Sequence, residues 1–146
     1  MYDRAVARPV DHGPRHIWLE PTARAARDAR GFVAEALAEF GHADLVEDAT
    51  LIASELVTNS ITHTPKHPIW VGIWRTGAFL DLEVWDCSTE PPVYLDPNYL
   101  AEGGRGLHIV QQLGAACGYT IFDHGKVVWA ILKFTSPRLP GISWVD

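Results

Sequence analysis

The sequence predicts an α+β fold, a two-layer sandwich in which helices cover one face of a mixed, mainly antiparallel sheet. Two stretches with helical periodicity precede the strand-like stretches that are arranged as hairpins. Helices and strands that are grouped in this way, and do not alternate regularly, are typical of this class. The chain has 146 residues, of which 47% are hydrophobic, enough for one core.

The first helix is predicted after Pro21-Thr22, in an Ala-rich stretch that Gly41 ends. Its apolar positions recur at spacings of three and four, which indicates one stripe facing the core. The positions are Ala26, Ala29, Val33, Leu37 and Phe40.

The second helix is predicted to begin near Asp44, a suitable N-cap, and to end near His63, because Pro65 and Pro68 prevent its continuation. A second apolar stripe runs along it and is again expected to face the core. That stripe consists of Leu45, Ala49, Ile52, Ala53, Leu56 and Ser60.

The predicted strands are rich in β-branched and aromatic residues. A short strand at residues 16–19 precedes the first helix, and residues 69–75 and 78–85 flank a tight turn at Thr76-Gly77. Residues 119–122 and 126–134 flank His124-Gly125 and form a closing hairpin. Between the hairpins we expect a Pro-rich loop at 86–102, then a short helix from about Leu107 that ends near Gly118.

The domain organisation follows from composition. Residues 1–15 lack periodicity and are predicted to form a flexible arm, residues 16–136 the domain, and residues 137–146 a tail. A net charge of −6 disfavours direct nucleic-acid binding. No stretch approaches the ~18 apolar residues of a membrane span, and no signal peptide is evident, so a cytoplasmic location with reduced Cys87 and Cys117 is expected.

A carboxylate and a carboxamide lie one turn apart on the second helix. Glu55 and Asn59 are at i and i+4, at the rim of the apolar stripe. There the amide oxygen can reach Mg²⁺ and the carboxylate can accept a hydroxyl proton. Two solvated polar residues beside a stripe are the alternative.

Two further signals follow. Asp86 ends an apolar strand, where it can accept a hydrogen bond from an amine, although aspartate is also a common turn former. The string Gly103-Gly104-Arg105-Gly106-Leu107 precedes the short helix. Glycine lets a backbone approach phosphate closely, and an arginine can add a charged fork, but a loop hinge needs glycine equally.

The order and spacing of these signals resemble the GHKL superfamily. ELVTNSITHT is similar to its N-box, VWDCSTEPP to its G1 box and EGGRGLHIVQQL to its G2 box. The resemblance covers about residues 17–135 and is strongest to the anti-sigma-factor serine/threonine kinases. It implies a Bergerat-type α/β sandwich that binds ATP.

The resemblance also implies roles for particular residues. Asn59 would hold Mg²⁺, Glu55 would act as the general base and Asp86 would bind the adenine amino group. The phosphates would be approached by Gly104, Arg105, Gly106 and the amides near Leu107, beneath a lid formed by residues 88–102.

Two positions depart from the family pattern. Ser88 replaces the usual Gly two residues after the aspartate, and the later strand, GKVVWAIL, has Val127 and Val128 where a Thr often lies near the adenine. Both changes would weaken nucleotide binding. The retained Glu55 and Asn59 argue against a disabled pocket.

Other chemistry is less favoured. His63 and His67 have a metal-like spacing, but Pro65 breaks the helix that would align their rings. Trp70 and Trp74 lie on one strand, and at least one of them is predicted to pack in the core.

The leading hypothesis is a cytoplasmic, Mg-ATP-dependent serine/threonine kinase of the anti-sigma-factor type that regulates transcription. It would phosphorylate a small partner of the anti-anti-sigma type, with a sigma factor as a further partner and a homodimer as the implied assembly. The alternative is a nucleotide-dependent protein-binding module without kinase turnover, which the altered G1 box favours. A histidine-kinase fragment is disfavoured, since no long helix pair with an acceptor histidine is predicted.

Overall fold

A computed structural model describes residues 12–92 and 116–134. The first part contains β1 (His12–Leu19), α1 (Ala25–Phe40), a 3-10 turn (Ala43–Leu45), α2 (Val46–His63), β2 (Ile69–Thr76) and β3 (Phe79–Asp86). The second contains β4 (Ala116–Phe122) and β5 (Gly125–Lys133). Three predicted features lie outside the described residues: most of the lid, the tail, and the G2-box residues Gly104, Arg105, Gly106 and Leu107.

The five strands form one sheet in the order β1-β2-β3-β5-β4, and all four pairings are antiparallel. Alternate residues of each strand point to one face, where α1 and α2 pack. The predicted two-layer α+β architecture is therefore confirmed. Within the described residues, neither helix carries an apolar stretch long enough to cross a membrane.

The core lies between this face of the sheet and the two helices. Its strand residues alternate along β2, β3 and β5, and its helical residues recur at spacings of three and four, as amphipathic packing requires. All six predicted stripe positions of α2 are buried. In α1, Ala25 is buried and Ala26 only partly so, while Gly41 ends the helix with a φ of 78° as predicted.

Some predicted boundaries were wrong. Asp44 does not cap α2, because it lies in the 3-10 turn and Leu45 occupies the N-cap without a side-chain hydrogen bond. β1 begins at His12, not His16, since its pairing with β2 extends that far through a register irregularity. Gly118 is not at a helix end but lies within β4, where it pairs with Trp129.

The hairpins are confirmed with turns displaced by one residue, so that Gly77-Ala78 and Asp123-His124 connect the strands. Trp74 is buried, in agreement with the prediction for one of the two β2 tryptophans. Cys87 and Cys117 are free thiols, and burial raises the pKa of Cys117 above its usual value.

Gly125 opens β5 at the point where β3 ends, and it permits a close approach of these strands. A methyl group there would lie 2.4 Å from the backbone oxygen of Asp86 and 2.9 Å from the Trp85 ring. The strands would have to separate to admit it. A Cβ at Gly31, on α1, would meet nothing within 4 Å.

We expect Gly125→Ala to lower the free energy of unfolding by about 1–3 kcal/mol, because the added methyl group overpacks the contact with Asp86. Gly31→Ala is the matched control and should raise it by up to about 1 kcal/mol, since alanine favours the helix. Urea denaturation followed by circular dichroism measures both. Equal stability of the wild type and Gly125→Ala would show that the close approach of the strands is not required.

Candidate functional site

A row of partly buried polar residues runs along one flank of α2. Glu55, Asn59 and His63 are spaced by four residues, so they lie on the same side of the helix. The helical rise of 1.5 Å per residue separates the two ends of the row by about 12 Å. The buried stripe, which includes Leu56 and Ser60, holds this flank at the edge of the helix–sheet interface.

The C-terminal end of this row meets a buried ion pair on the sheet. Asp86 is the last residue of β3, and its register partner on β5 is Lys126. The Lys126 Nζ donates to Asp86 Oδ1 at 2.9 Å, and both side chains are fully buried. Asp86 follows Leu82 and Val84 at alternate positions, so it points to the face that the helices cover.

His63 connects the helix to this pair. Its Nδ1 lies 3.3 Å from Lys126 Nζ. Because lysine has no acceptor, His63 Nδ1 must accept, which places the imidazole proton on Nε2. Burial lowers the pKa of His63 below its usual 6.5, and the Lys126 charge lowers it further, against smaller effects of Asp86 and Glu90. The neutral ring is therefore the favoured form.

Ser88 shapes the start of the loop after β3. Its backbone N–H donates to Asp86 Oδ1 at 2.9 Å, and its Oγ accepts from the Glu90 N–H at 3.1 Å. These local turns hold the Asp86 carboxylate in place with a backbone donor that glycine would also supply. The change from Gly to Ser is thus compatible with a correctly oriented aspartate.

Two buried acceptors of the site have no hydrogen-bond partner among the described residues. They are Oδ1 of Asn59 and Oδ2 of Asp86. Leaving a buried acceptor unpaired is costly, so such atoms in a native fold call for an explanation such as a ligand or ion. Asn59 Oδ1 suits a hard cation such as Mg²⁺, and Asp86 Oδ2 suits an N–H donor.

The structure thus brings the sequence-predicted residues of α2 and β3 to one edge of the interface. Val127 and Val128 are buried but are not opposite Asp86, because the register pairs them with Trp85 and Val84. The residue opposite Asp86 is Lys126. Sequence reasoning missed both Lys126 and the contact of His63 with it, although the turn before Lys126 and the histidine of the N-box string were visible signals.

One other concave region is notable. An open groove of about 690 Å³ lies between β1 and α1, lined by residues that include Trp18, Arg27 and Phe32. None of Glu55, Asn59, Asp86 and Lys126 lines it. Within the described ranges no cluster of three or more His, Cys, Asp or Glu side chains could hold a metal. The polar residues on α2 and at the end of β3 are the better candidate site, because two buried acceptors there have no partner among the described residues.

A family model described as a histidine kinase-like ATPase domain matches residues 19–132, a span that contains every described site residue. No curated protein sequence matches the chain significantly.

Two solved structures resemble this chain to different degrees. The RsbU and RsbW domains of Rv1364c from Mycobacterium tuberculosis match with a TM-score of 0.67 and 23% identity, over 86% of this chain and 34% of that chain. A histidine kinase domain from the Erythrobacter litoralis EL346 blue-light activated histidine kinase has a TM-score of 0.48 and 20% identity, over 80% and 65%. The present chain therefore spans about a third of the mycobacterial chain.

The lowered pKa of His63 predicts a pH dependence of stability. The folded protein binds a proton at His63 less readily than the unfolded chain, so protonation favours unfolding as the pH falls below 6.5. We expect the free energy of unfolding of the wild type, relative to His63→Gln, to be constant above that pH and to decline below it. Denaturant titrations between pH 5 and 8 measure this difference.

His67→Gln is the matched control, because His67 is exposed just beyond the same helix. It should follow the wild-type pH profile. If His63→Gln shows the same pH dependence of the free energy of unfolding as the wild type, the contact with Lys126 does not affect the protonation of His63.

Proposed function

Because the chain belongs to the histidine kinase-like ATPase family, we propose that it binds Mg-ATP and acts as an anti-sigma-factor-type serine/threonine kinase on a small partner protein. The observation that carries the proposal is a pair of buried acceptors that have no partner among the described residues, Asn59 Oδ1 on α2 and Asp86 Oδ2 at the end of β3. They would meet different parts of one nucleotide.

Asp86 would bind the base. Its Oδ1 is occupied by the Ser88 N–H and Lys126, whereas Oδ2 is available to accept from the exocyclic amine of adenine. Burial excludes water, which would compete for the same acceptor, and so strengthens a correctly placed hydrogen bond. Gly125, where the backbone closely approaches Asp86, would help to hold this subsite in shape.

Asn59 would hold Mg²⁺ through its Oδ1, which has no hydrogen-bond partner within the described part of the chain. A magnesium ion commonly takes one or two protein ligands and completes its shell with water and phosphate oxygens, so a single amide on α2 fits this requirement. When bound, the ion would neutralise charge on the phosphates.

Glu55 would act as the general base, one turn from Asn59. Its carboxylate would accept the proton of a partner serine or threonine hydroxyl as that oxygen bonds to the γ-phosphorus. The bond between the γ-phosphorus and the bridging oxygen would break, and ADP would leave. The proposal also includes four phosphate-binding residues: Gly104, Arg105, Gly106 and Leu107.

The protein partner is proposed from the motif resemblance. A partner of the anti-anti-sigma type, a sigma factor as a further partner and a homodimeric, cytoplasmic form belong to this part of the proposal. The mycobacterial structure includes an RsbW domain, and its similarity in fold to this chain is compatible with the anti-sigma-factor kinase branch. The alternative, a nucleotide-dependent binding module without turnover, makes the same use of Asp86 and Asn59 but needs no base.

Asp86→Asn is expected to weaken ATP binding at least tenfold. The amide keeps one oxygen for Ser88 and Lys126 but places an N–H₂ donor against the adenine amine, so an attractive contact becomes repulsive. Calorimetric titration with ATP, with and without Mg²⁺, measures the change. Asp123→Asn, on the exposed turn before β5, is the control and should bind like the wild type.

Glu55→Gln is expected to lower phosphate transfer by 10²- to 10⁴-fold while ATP affinity stays near the wild-type value, because only the proton acceptor is removed. Transfer of labelled γ-phosphate to a protein that co-purifies with the chain measures the rate. Glu47→Gln, exposed on the same helix, is the control.

The two candidate functions separate in this experiment. Transfer by the wild type that Glu55→Gln loses supports the kinase. Transfer that survives in Glu55→Gln excludes Glu55 as the base. Partner binding without transfer in the wild type favours the binding module.

A further inference from the structure

We propose that Lys126 reads the nucleobase directly, donating a hydrogen bond to N1 of adenine while Asp86 accepts one from the neighbouring exocyclic amine. This inference rests on the proposed function, because it assigns a further residue to the same site. It makes Lys126 a specificity-determining residue and not merely the counter-ion of Asp86.

The first step concerns the donors of Lys126. Its ammonium group has three N–H bonds and no acceptor. Asp86 Oδ1 takes one at 2.9 Å and His63 Nδ1 takes another at 3.3 Å. The side chain is fully buried, and within residues 12–92 and 116–134 no third acceptor contacts it. A buried ammonium group is expected to use its remaining donor when a ligand offers an acceptor.

The second step concerns what lies beside that donor. Asp86 Oδ2 is a buried acceptor without a partner among the described residues, on the carboxylate that Lys126 contacts. The pair therefore offers one acceptor and one donor next to each other. Adenine presents the complementary arrangement on its Watson–Crick edge, where the N6 amine donates and the adjacent N1 accepts.

The third step concerns the position of Lys126 in the sheet. The family pattern often has a Thr near the adenine on this strand, and here the residues after Lys126 are the apolar Val127 and Val128. The register places those valines opposite Trp85 and Val84, so Lys126 is the polar side chain of β5 that faces Asp86. It is therefore placed to supply the second polar contact to the base.

A purely structural role is a weaker explanation for the buried pair of Asp86 and Lys126. Replacing a buried ion pair by well-packed apolar residues is often neutral or stabilising, so the pair by itself is weak evidence of a stability requirement.

A guanine ring bound in the same orientation would place its O6 acceptor against Asp86 Oδ2 and its N1–H donor against Lys126. The pair would therefore select adenine over guanine.

The test compares ATP with 1-deaza-ATP, in which a C–H group replaces N1 and the N6 amine is kept. Calorimetric titrations of the wild-type chain with Mg²⁺ should show ATP binding about tenfold or more tighter, the range expected when one hydrogen bond from a charged donor is lost. GTP should bind more weakly than ATP as well.

Lys126→Met and Lys126→Gln identify the group responsible. Both remove the charge, but glutamine keeps an N–H donor and methionine does not. Lys126→Met should bind ATP and 1-deaza-ATP with equal affinity, whereas Lys126→Gln should keep part of the preference for ATP. Circular dichroism confirms that each variant is folded, and should Lys126→Met not fold, the wild-type comparison and Lys126→Gln decide the question.

The outcomes separate this inference from the proposed function. Wild-type binding of ATP and 1-deaza-ATP with equal affinity would overturn the role of Lys126 and leave the ATP site intact. A full preference for ATP that survives in Lys126→Met would do the same, since another group would then contact N1. Tighter binding of GTP than of ATP would overturn the adenine assignment. Absence of ATP binding would overturn the proposed function itself.

Discussion

The ion pair between Asp86 and Lys126 is the constraint on which the site depends. Two fully buried charges are tolerated in a small core only when they are paired, and here the pairing is direct, across two neighbouring strands. It joins the ends of β3 and β5, where the backbone at Gly125 closely approaches Asp86. It also requires a neutral His63, because Nδ1 must accept from the ammonium group. The ion pair thus joins two strand ends, and through Lys126 it contacts the histidine at the end of α2.

The helix α2 contributes residues both to the core and to the candidate site. The same helix buries Ile52, Leu56 and Ser60 against the sheet and carries Glu55, Asn59 and His63 on its flank. Apolar packing therefore fixes the direction of the polar row without help from ion pairs within it. The described part of the site leaves two acceptors unpaired, each at a cost of about 1–3 kcal/mol to folding. A ligand that donates to or coordinates these atoms would remove that cost, so binding should stabilise the fold.

The helical stripes and the hairpins could be predicted from the sequence because they follow from local periodicity and turn composition. The start of α2 could not, since Asp44 is a good capping residue that the chain places in a 3-10 turn instead. Strand register is also inaccessible, because it depends on contacts between distant residues. Asp86 and Lys126 are 40 positions apart, and only their pairing showed that Lys126, and neither Val127 nor Val128, faces the aspartate. Glu55, Asn59 and Asp86 could be proposed as site residues because the order and spacing of their motifs resemble those of a known superfamily, which local periodicity alone does not indicate.

The two departures from the family pattern have different physical meanings once the geometry is known. At Ser88 the contact to Asp86 comes from the backbone N–H, which any residue except proline provides, and the hydroxyl is used separately, to accept from Glu90. That change leaves the orientation of the aspartate intact. On β5 the apolar Val127 and Val128 do not face Asp86, and the residue that does face it is Lys126. A hydroxyl can donate or accept, whereas an ammonium group can only donate. Lys126 thus places a fixed donor beside the Asp86 carboxylate, so under the proposed function the base would meet a donor and an acceptor whose roles cannot be exchanged.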